Sequence, residues 1–251
     1  MAPWPVLVVS GVAIGLGMGI FGVGGSSVAT PVLSLLGVPG LIAVASPLPG
    51  TIPAAALAAA SYLRSEGARP KAAAWSILGG VPGTVAGALL SKEAGGPALL
   101  VASGVVLAII GWRVLQPIDD LARATGTRRR QNRPLLVAAT FAVGLFTGLL
   151  ANGGGFLLVP LYLLIFGLRM RQAVGTSLVV IAVLSIPTLV THWALGHIDW
   201  TVAGYFAAGQ LPGAAVGGRL AQHFRGPSVR RAFGWFLIVA GVAFTAYRLA
   251  R

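Results

Sequence analysis

The sequence predicts an all-α integral membrane protein made of two homologous halves. Three observations support this prediction: few charged residues, apolar segments long enough to cross a bilayer, and an internal repeat. Of the 251 residues, 56% are hydrophobic and only 9% are charged, and the mean hydropathy is +0.87. Soluble domains carry about 25% charged residues. This chain therefore lacks the polar residues needed to cover a water-facing surface.

The apolar segments approach or exceed the roughly 20 residues that a transmembrane helix requires. They lie at about 4–37, 39–63, 72–91, 97–115, 134–168, 172–195, 200–221 and 232–247. No basic region precedes the first segment, so we expect it to be retained rather than removed as a signal peptide.

The charged residues exclude several classes of function but do not identify one. The net charge is +13, but the basic residues sit at the ends of apolar segments, as the positive-inside rule describes. We therefore expect lipid rather than nucleic acid as the partner of these residues. Cysteine is absent and all five acidic residues fall in predicted loops. We expect no catalytic pair, no metal site, no cofactor and no enzymatic activity.

An internal repeat divides the chain. Four residues of the first half recur 129 positions later: Gly19, Gly24, Gly25 and Pro31 match Gly148, Gly153, Gly154 and Pro160. Further along, the offset becomes 130, and Gly79, Pro82, Gly83 and Gly87 match Gly209, Pro212, Gly213 and Gly217. A constant offset over so many residues indicates a duplication. We predict a first membrane repeat at 1–115, a basic cytoplasmic linker at 116–133 and a second repeat at 134–251.

The first segment of each half is predicted to be broken. A single helix over 4–37 would be about 50 Å long, well beyond a bilayer core of about 30 Å. Glycine clusters interrupt both segments, at Gly22–Gly25 and at Asn152–Gly155, and each is followed by a proline. Two structures fit: a helix followed by a short lateral piece, or a hairpin that re-enters the membrane.

The basic loops favour the hairpin. If both first segments simply span the membrane, the basic loops of the second half face outward, against the positive-inside rule. If both are hairpins, the loops 64–71, 113–133, 169–171 and 225–231 all face the cytoplasm. Each half then crosses three times, so the halves form an inverted repeat. The predicted fold is two such halves, each with a re-entrant first segment and three transmembrane helices.

The two breaks are the best candidates for a binding site. Irregular backbone within a membrane must be satisfied by protein or water, and a half-helix that starts there directs N–H groups at that space. The alternative is that these glycines only let helices cross. We predict that neutral donors at the breaks hold a small anion: Gly24, Gly25, Ser26, Ser27, Asn152, Gly153, Gly154 and Gly155.

Other polar residues in apolar segments extend this prediction. Three prolines in residues 46–53 predict an irregular stretch, so Ser46 and Thr51 could line the same cavity or merely lie at a bend. Thr176 and Ser177 occupy the equivalent place in the second half. Gln210 is a lone polar group, suited either to an interhelical bond or to a ligand contact. His192 is either an interfacial, hydrogen-bonded histidine or a functional group.

Glycine stripes run along the third segments, at Gly79, Gly83 and Gly87 and at Gly209, Gly213 and Gly217. Small residues at this spacing let two helices approach closely in lipid. We interpret most of them as packing residues.

The doubled pattern Gly-x-Gly-Gly-x5-Pro, from Gly22 to Pro31 and with Ala151 to Pro160 in the second half, resembles the sulfite exporter TauE/SafE family. So do Ala173 to Leu178 and the glycine-rich stretch from Gly209 to Gly218. The resemblance implies transport of a small anion, such as sulfite or sulfoacetate, across the bacterial inner membrane. The alternative is a membrane scaffold that transports nothing and uses its glycine stripes for partner helices. Whether the chain forms a homo-oligomer stays open.

Overall fold

The computed structural model describes residues 3–65, 67–94, 109, 111–116, 133–149, 155–224 and 226–249, and all of its regular structure there is helical. The helices are α1 (Trp4–Phe21), α2 (Gly25–Leu35), α3 (Gly40–Ala45), α4 (Leu48–Arg64), α5 (Pro70–Ala94), α6 (Arg133–Leu149), α7 (Gly155–Pro160, continued by a π-helical turn Leu161–Ile165), α8 (Met170–Ala194), α9 (Trp200–Leu220) and α10 (Gly226–Leu249). Most of the predicted linker lies outside the described residues, so the domain boundaries stay predictions.

Long apolar helices confirm a multi-pass membrane protein. In the described part of the chain, four spans are long and apolar enough to cross a bilayer: Trp4–Phe21, Ile42–Arg64, Pro70–Leu90 and Met170–Ala194. Apolar side chains such as Val9, Leu89 and Val239 are exposed on the outside of the bundle. Contact of these side chains with water would be unfavourable, whereas contact with lipid would not.

Helices α1 and α9 pack in parallel with their backbones in direct contact. A Cβ atom at Gly217 would lie 2.5 Å from the carbonyl oxygen of Leu16. One and two turns earlier, Gly213 and Gly209 face α1 in the same way. Only glycine permits this approach along the whole contact, which is the role predicted for the stripe.

Helices α5 and α6 form the equivalent pair. Gly79, Gly83 and Gly87 of α5 lie against the backbone of α6, again in parallel register. Under the repeat, α1 corresponds to α6 and α9 corresponds to α5. The first helix of each half therefore packs on the third long helix of the other half.

Helices α4 and α8 lie between these pairs and run antiparallel. The last turn of α4 meets the second turn of α8, since a Cβ at Gly175 would lie 2.7 Å from that of Tyr62. At their other ends, Ser46 before α4 contacts Asp199 after α8. Helix α4 runs parallel to α9, with Gly50 near Ala207. Thus α1, α4 and α9 run in one direction, and α5, α6 and α8 run in the other.

The bundle consequently has two distinct ends. At the Trp4 end, α1, α4 and α9 begin, and Asp199 caps α9 by accepting hydrogen bonds from two backbone N–H groups. At the Arg133 end, α5, α6 and α8 begin. The described basic side chains at the helix termini of the Arg133 end are Arg64, Arg69, Lys71, Arg133, Arg169, Arg171, Arg219, Arg230 and Arg231.

One local prediction was wrong. The proline-rich stretch 46–53 was expected to be irregular, but α4 is helical from Leu48 onward with Pro53 inside it. Pro47 is the N-cap residue and Pro49 falls in the first turn, where backbone N–H groups have no helical partner to lose. Only Ser46 and Pro47 separate α3 from α4.

Candidate functional site

The first glycine break is a sharp turn between two helices. Helix α1 ends at Gly22, whose φ of 69° is left-handed and favours glycine. Helix α2 begins three residues later at Gly25, and Gly24, Gly25 and Ser26 are buried. The side chain of Ser177 on α8 supports the turn, because its hydroxyl lies 3.1 Å from the Gly22 carbonyl oxygen.

Helix α2 returns towards the end of the bundle where α1 starts. Leu33, near the end of α2, shares a hydrophobic cluster with Leu7 in the first turn of α1 and Val202 in the first turn of α9. The start of α2 therefore lies deeper in the bundle than its end. An eleven-residue half-helix with a buried start is what the glycine cluster predicts.

Gln210 of α9 lies against the start of α2. Its side chain is fully buried, and its Nε2 contacts the position that a Cβ at Gly25 would occupy. Nε2 donates to Thr51 Oγ1 of α4 at 3.2 Å and faces the Met18 sulfur at 3.8 Å. This polar centre, which we define as Gly25, Thr51 and Gln210, unites three of the predicted site residues from three helices.

Glycine at position 50 completes the cradle for the amide. A Cβ there would lie 2.7 Å from Gln210 Oε1, so any larger residue would displace the amide. Oε1 has no hydrogen-bond partner among the described residues. A buried carbonyl oxygen without a partner costs free energy, which distinguishes this group from an ordinary interhelical bond.

Ser46 and Thr176 lie away from the polar centre, at opposite ends of the bundle. Ser46 Oγ accepts from the backbone N–H of Asp199 at 3.1 Å, and Thr176 Oγ1 accepts from that of Arg69 at 3.0 Å. These two bonds are equivalent under the repeat, since Thr176 follows Ser46, and Asp199 follows Arg69, by the repeat offset of 130 residues. The first bond joins the start of α4, in the first half, to the start of α9, in the second half. The second bond joins the start of α8, in the second half, to the start of α5, in the first half.

The second break is not described. Asn152, Gly153 and Gly154 lie outside the described residues, as does the side chain of Ser27. Gly155 is the first residue of α7, and α7 contacts α2. The half-helices that follow the two breaks are therefore neighbours.

Several contacts of the site could not be read from the sequence. Met18 is an apolar residue in an apolar segment, and nothing in its pattern separates it from its neighbours. The Tyr62 hydroxyl donates to the Gly19 carbonyl oxygen at 2.8 Å, anchoring the end of α1. The only available signal was that Tyr62 corresponds to His192 in the repeat. His192 itself lies at the Trp4 end, with its Nδ1 3.2 Å from that of His197.

One other place could be mistaken for the site. A groove of about 620 Å³ between α5 and α6 is lined mainly by apolar side chains, with Arg133 stacked on Trp75 at 5.5 Å. Its lining includes no residue of the first break, and it holds no buried polar side chain. Within the described ranges, no cluster of three or more histidine, cysteine or acidic residues could bind a metal ion.

Residues 7–244 match the family described as "Sulfite exporter TauE/SafE". The chain belongs to the TauE/SafE family. A relative from Xylella fastidiosa strain 9a5c, called "Probable membrane transporter protein", is 32% identical over 95% of this chain and 92% of its own. YunE of Bacillus subtilis, called "Probable membrane transporter protein YunE", is 28% identical over 86% of each chain. No solved structure matches the sequence.

This TauE/SafE protein is thus a membrane transporter, and the resemblance seen in the glycine breaks is confirmed. The Thr51 hydroxyl donates its proton to the Pro47 carbonyl oxygen at 2.9 Å, so the polar centre offers an anion the Gln210 amide and the start of a buried helix, neither of which carries a full charge. Such groups can hold an anion by hydrogen bonds without fixing it permanently.

Proposed function

We propose that this TauE/SafE protein transports a small anion, a sulfur oxyanion or organosulfonate of the sulfite or sulfoacetate type, by alternating access around the first glycine break. The observation behind the proposal is the buried start of α2 against Gln210 and Thr51. A helix start attracts negative charge through its free N–H groups and its dipole. The second break, with Asn152, would approach the same centre from the other half.

We also propose that the halves form an inverted repeat with re-entrant first segments in the bacterial inner membrane. The opposite directions of equivalent helices support this, as does the return of α2 towards the Trp4 end. Basic side chains concentrate at the Arg133 end. By the positive-inside rule, this end faces the cytoplasm.

The membrane potential is sufficient to drive export of such an ion. Moving a monoanion out across about 100 mV, inside negative, gains about 2.3 kcal/mol, and a dianion gains about twice that. Among the described helices, the buried polar side chains are hydroxyls, one amide and His192. The proposed mechanism therefore uses no coupling proton and no carboxylate.

The scaffold alternative needs the glycine stripes to be free for partner helices. Within the chain, both stripes are already covered: Gly213 and its neighbours pack on α1, and Gly83 and its neighbours pack on α6. This packing favours transport. We further propose that the protein is not an enzyme.

Substitution at Gly25 tests the proposed site. In Gly25→Ala the new methyl group would occupy the place of Gln210 Nε2, so the amide must move. Binding should then weaken about fivefold, the equivalent of losing one hydrogen bond of about 1 kcal/mol. Asn152→Ala should weaken binding by about 1–2 kcal/mol if one hydrogen bond is lost. Binding is measured by ligand-dependent thermal shift in detergent with sulfite, sulfoacetate, thiosulfate and acetate, and flux is measured in proteoliposomes.

The matched control is Gly17→Ala on α1. A Cβ at Gly17 has no other atom within 4 Å among its described surroundings, so this variant should bind as the wild type does. Wild-type affinity and flux in both Gly25→Ala and Asn152→Ala would place the site elsewhere. If no anion of the panel shifts the wild type, the proposed substrate class is wrong.

A further inference from the structure

The groove between α5 and α6 lies on the outside of the bundle and opens at the Arg133 end. It has a volume of about 620 Å³ and its walls are mainly apolar. Two of the large side chains that line it, Leu78 and Phe141, are 59% and 40% exposed. On a membrane protein such a surface faces hydrocarbon rather than water. The groove is therefore suited to an acyl chain.

Cationic side chains lie at the mouth of this groove, where α5 and α6 begin. The guanidinium carbon of Arg133 lies 5.5 Å from the centre of the Trp75 ring, a cation–π contact that holds the charge at the groove. A stacked guanidinium keeps its N–H groups free to bind a phosphate in its own plane. Lys71 is exposed one turn before Trp75, and residues four apart lie on the same face of a helix. Lys71 thus adds a second cation at this mouth.

The duplication shows that the fold does not require these charges. The counterparts of the mouth residues in the other helix pair, α1 and α9, are neutral: Arg133, Lys71 and Trp75 correspond to Trp4, Thr201 and Tyr205. At that place the centres of the Trp4 and Tyr205 rings are 6.2 Å apart. The same backbone arrangement therefore carries aromatic rings at one end of the bundle and cations at the other. The positive-inside rule accounts for a cation at the Arg133 end, but not for its place at an apolar groove.

We propose that the groove between α5 and α6 binds one anionic phospholipid. An acyl chain lies along Leu78, Pro82 and Phe141, and the phosphate binds Arg133 and Lys71. Basic pockets between transmembrane helices bind acidic lipid headgroups in this way. The lipid site is distinct from the proposed anion site, because the groove is lined by no residue of the polar centre.

Two lipids with the same acyl chains test the inference: dioleoylphosphatidylglycerol, which is anionic, and dioleoylphosphatidylcholine, which carries no net charge. Their dissociation constants are measured by native mass spectrometry on the whole protein in a neutral detergent. The wild type should bind the anionic lipid about tenfold more tightly, the equivalent of one charge-assisted hydrogen bond. Arg133→Gln should reduce this preference to about twofold, the share of a solvated cation such as Lys71.

Arg231→Gln is the matched control, because Arg231 is exposed at the same end of the bundle but lies on α10, outside the lining of the groove. This variant should keep the preference of the wild type. Ala138→Phe tests the groove itself. Ala138 is an exposed lining residue, so a phenyl ring there would fill the path of the acyl chain and leave both cations in place. It should bind the anionic lipid more weakly than the wild type does.

Equal binding of the two lipids by the wild type overturns the inference, and this outcome needs no variant to fold. A preference that survives in Arg133→Gln, or that falls equally in Arg231→Gln, also overturns it, since general surface charge would then attract the lipid. Wild-type binding in Ala138→Phe would show that no acyl chain lies in the groove. If inorganic phosphate at the same concentration displaces the lipid, the mouth binds a free anion instead. If neither lipid binds, another segment of the chain or a second copy covers the groove and the inference fails. None of these measurements involves transport, so the proposed function is tested separately.

Discussion

Replacement of Gly217 by alanine tests whether the transporter depends on backbone contact between α1 and α9. The new Cβ would lie 2.5 Å from the Leu16 carbonyl oxygen, whereas such atoms require at least 3.0 Å. The helices must therefore separate by at least 0.5 Å, the difference between these distances, because a backbone oxygen cannot rotate away. Overpacking of this kind costs about 1–3 kcal/mol.

Gly204→Ala on the same helix provides the reference. Its Cβ would meet no other atom within 4 Å among the described residues. Both substitutions gain the same helix propensity, about 1 kcal/mol, so their difference isolates the packing cost. At roughly 2–4 °C per kcal/mol for a chain of this size, Gly217→Ala should unfold about 2–12 °C below Gly204→Ala in detergent. Equal midpoints for the two variants would show that the α1 and α9 backbones are not in contact and would refute the parallel pairing.

Two further predictions concern the membrane. Single cysteines in the loops 64–71, 113–133, 169–171 and 225–231 should be labelled from the cytoplasmic side, since the protein has no native cysteine to interfere; periplasmic labelling of 169–171 would contradict the re-entrant model. In proteoliposomes, anion export should respond to an imposed potential, with about 2.3 kcal/mol of driving force per charge at about 100 mV, and should need no pH gradient. Strict dependence on a pH gradient, with no response to the potential, would contradict this prediction.

Local sequence signals predicted the local structure well where glycine was decisive. The cluster Gly22–Gly25 ends one helix and starts the next because glycine is costly inside a helix and accepts a left-handed φ. Proline was less reliable. Proline lacks the N–H group that a helix interior requires, but the first turn of a helix does not use that group, so Pro49 is tolerated there. The sequence alone does not show at which residue that first turn begins.

Helix partnership could not be predicted in the same way. A stripe such as Gly209, Gly213 and Gly217 predicts that some helix approaches closely, but any apolar helix satisfies that requirement. In the structure the stripe on α9 packs against α1, and the stripe on α5 packs against α6. Only these contacts show that the first helix of each half packs on the third long helix of the other half. Ser46 and Thr176 show the same limit. The sequence predicts both in the site because they match in the repeat, but that match reflects two equivalent hydrogen bonds at opposite ends of the bundle.

The exchanged packing limits how the polar centre can change shape during transport. Because α1 and α9 share a backbone interface along several turns, we expect them to move together in the proposed alternating-access cycle. Gln210 then travels with α1, whereas Gly25 lies beyond the break on α2 and Thr51 lies on α4. The left-handed residue Gly22 is the joint between α1 and α2, and Ser177 of α8 bonds at that joint. A movement of the α1 and α9 pair relative to α2 would separate the Gln210 amide from the start of α2, and would thereby open the polar centre that is proposed to hold the anion.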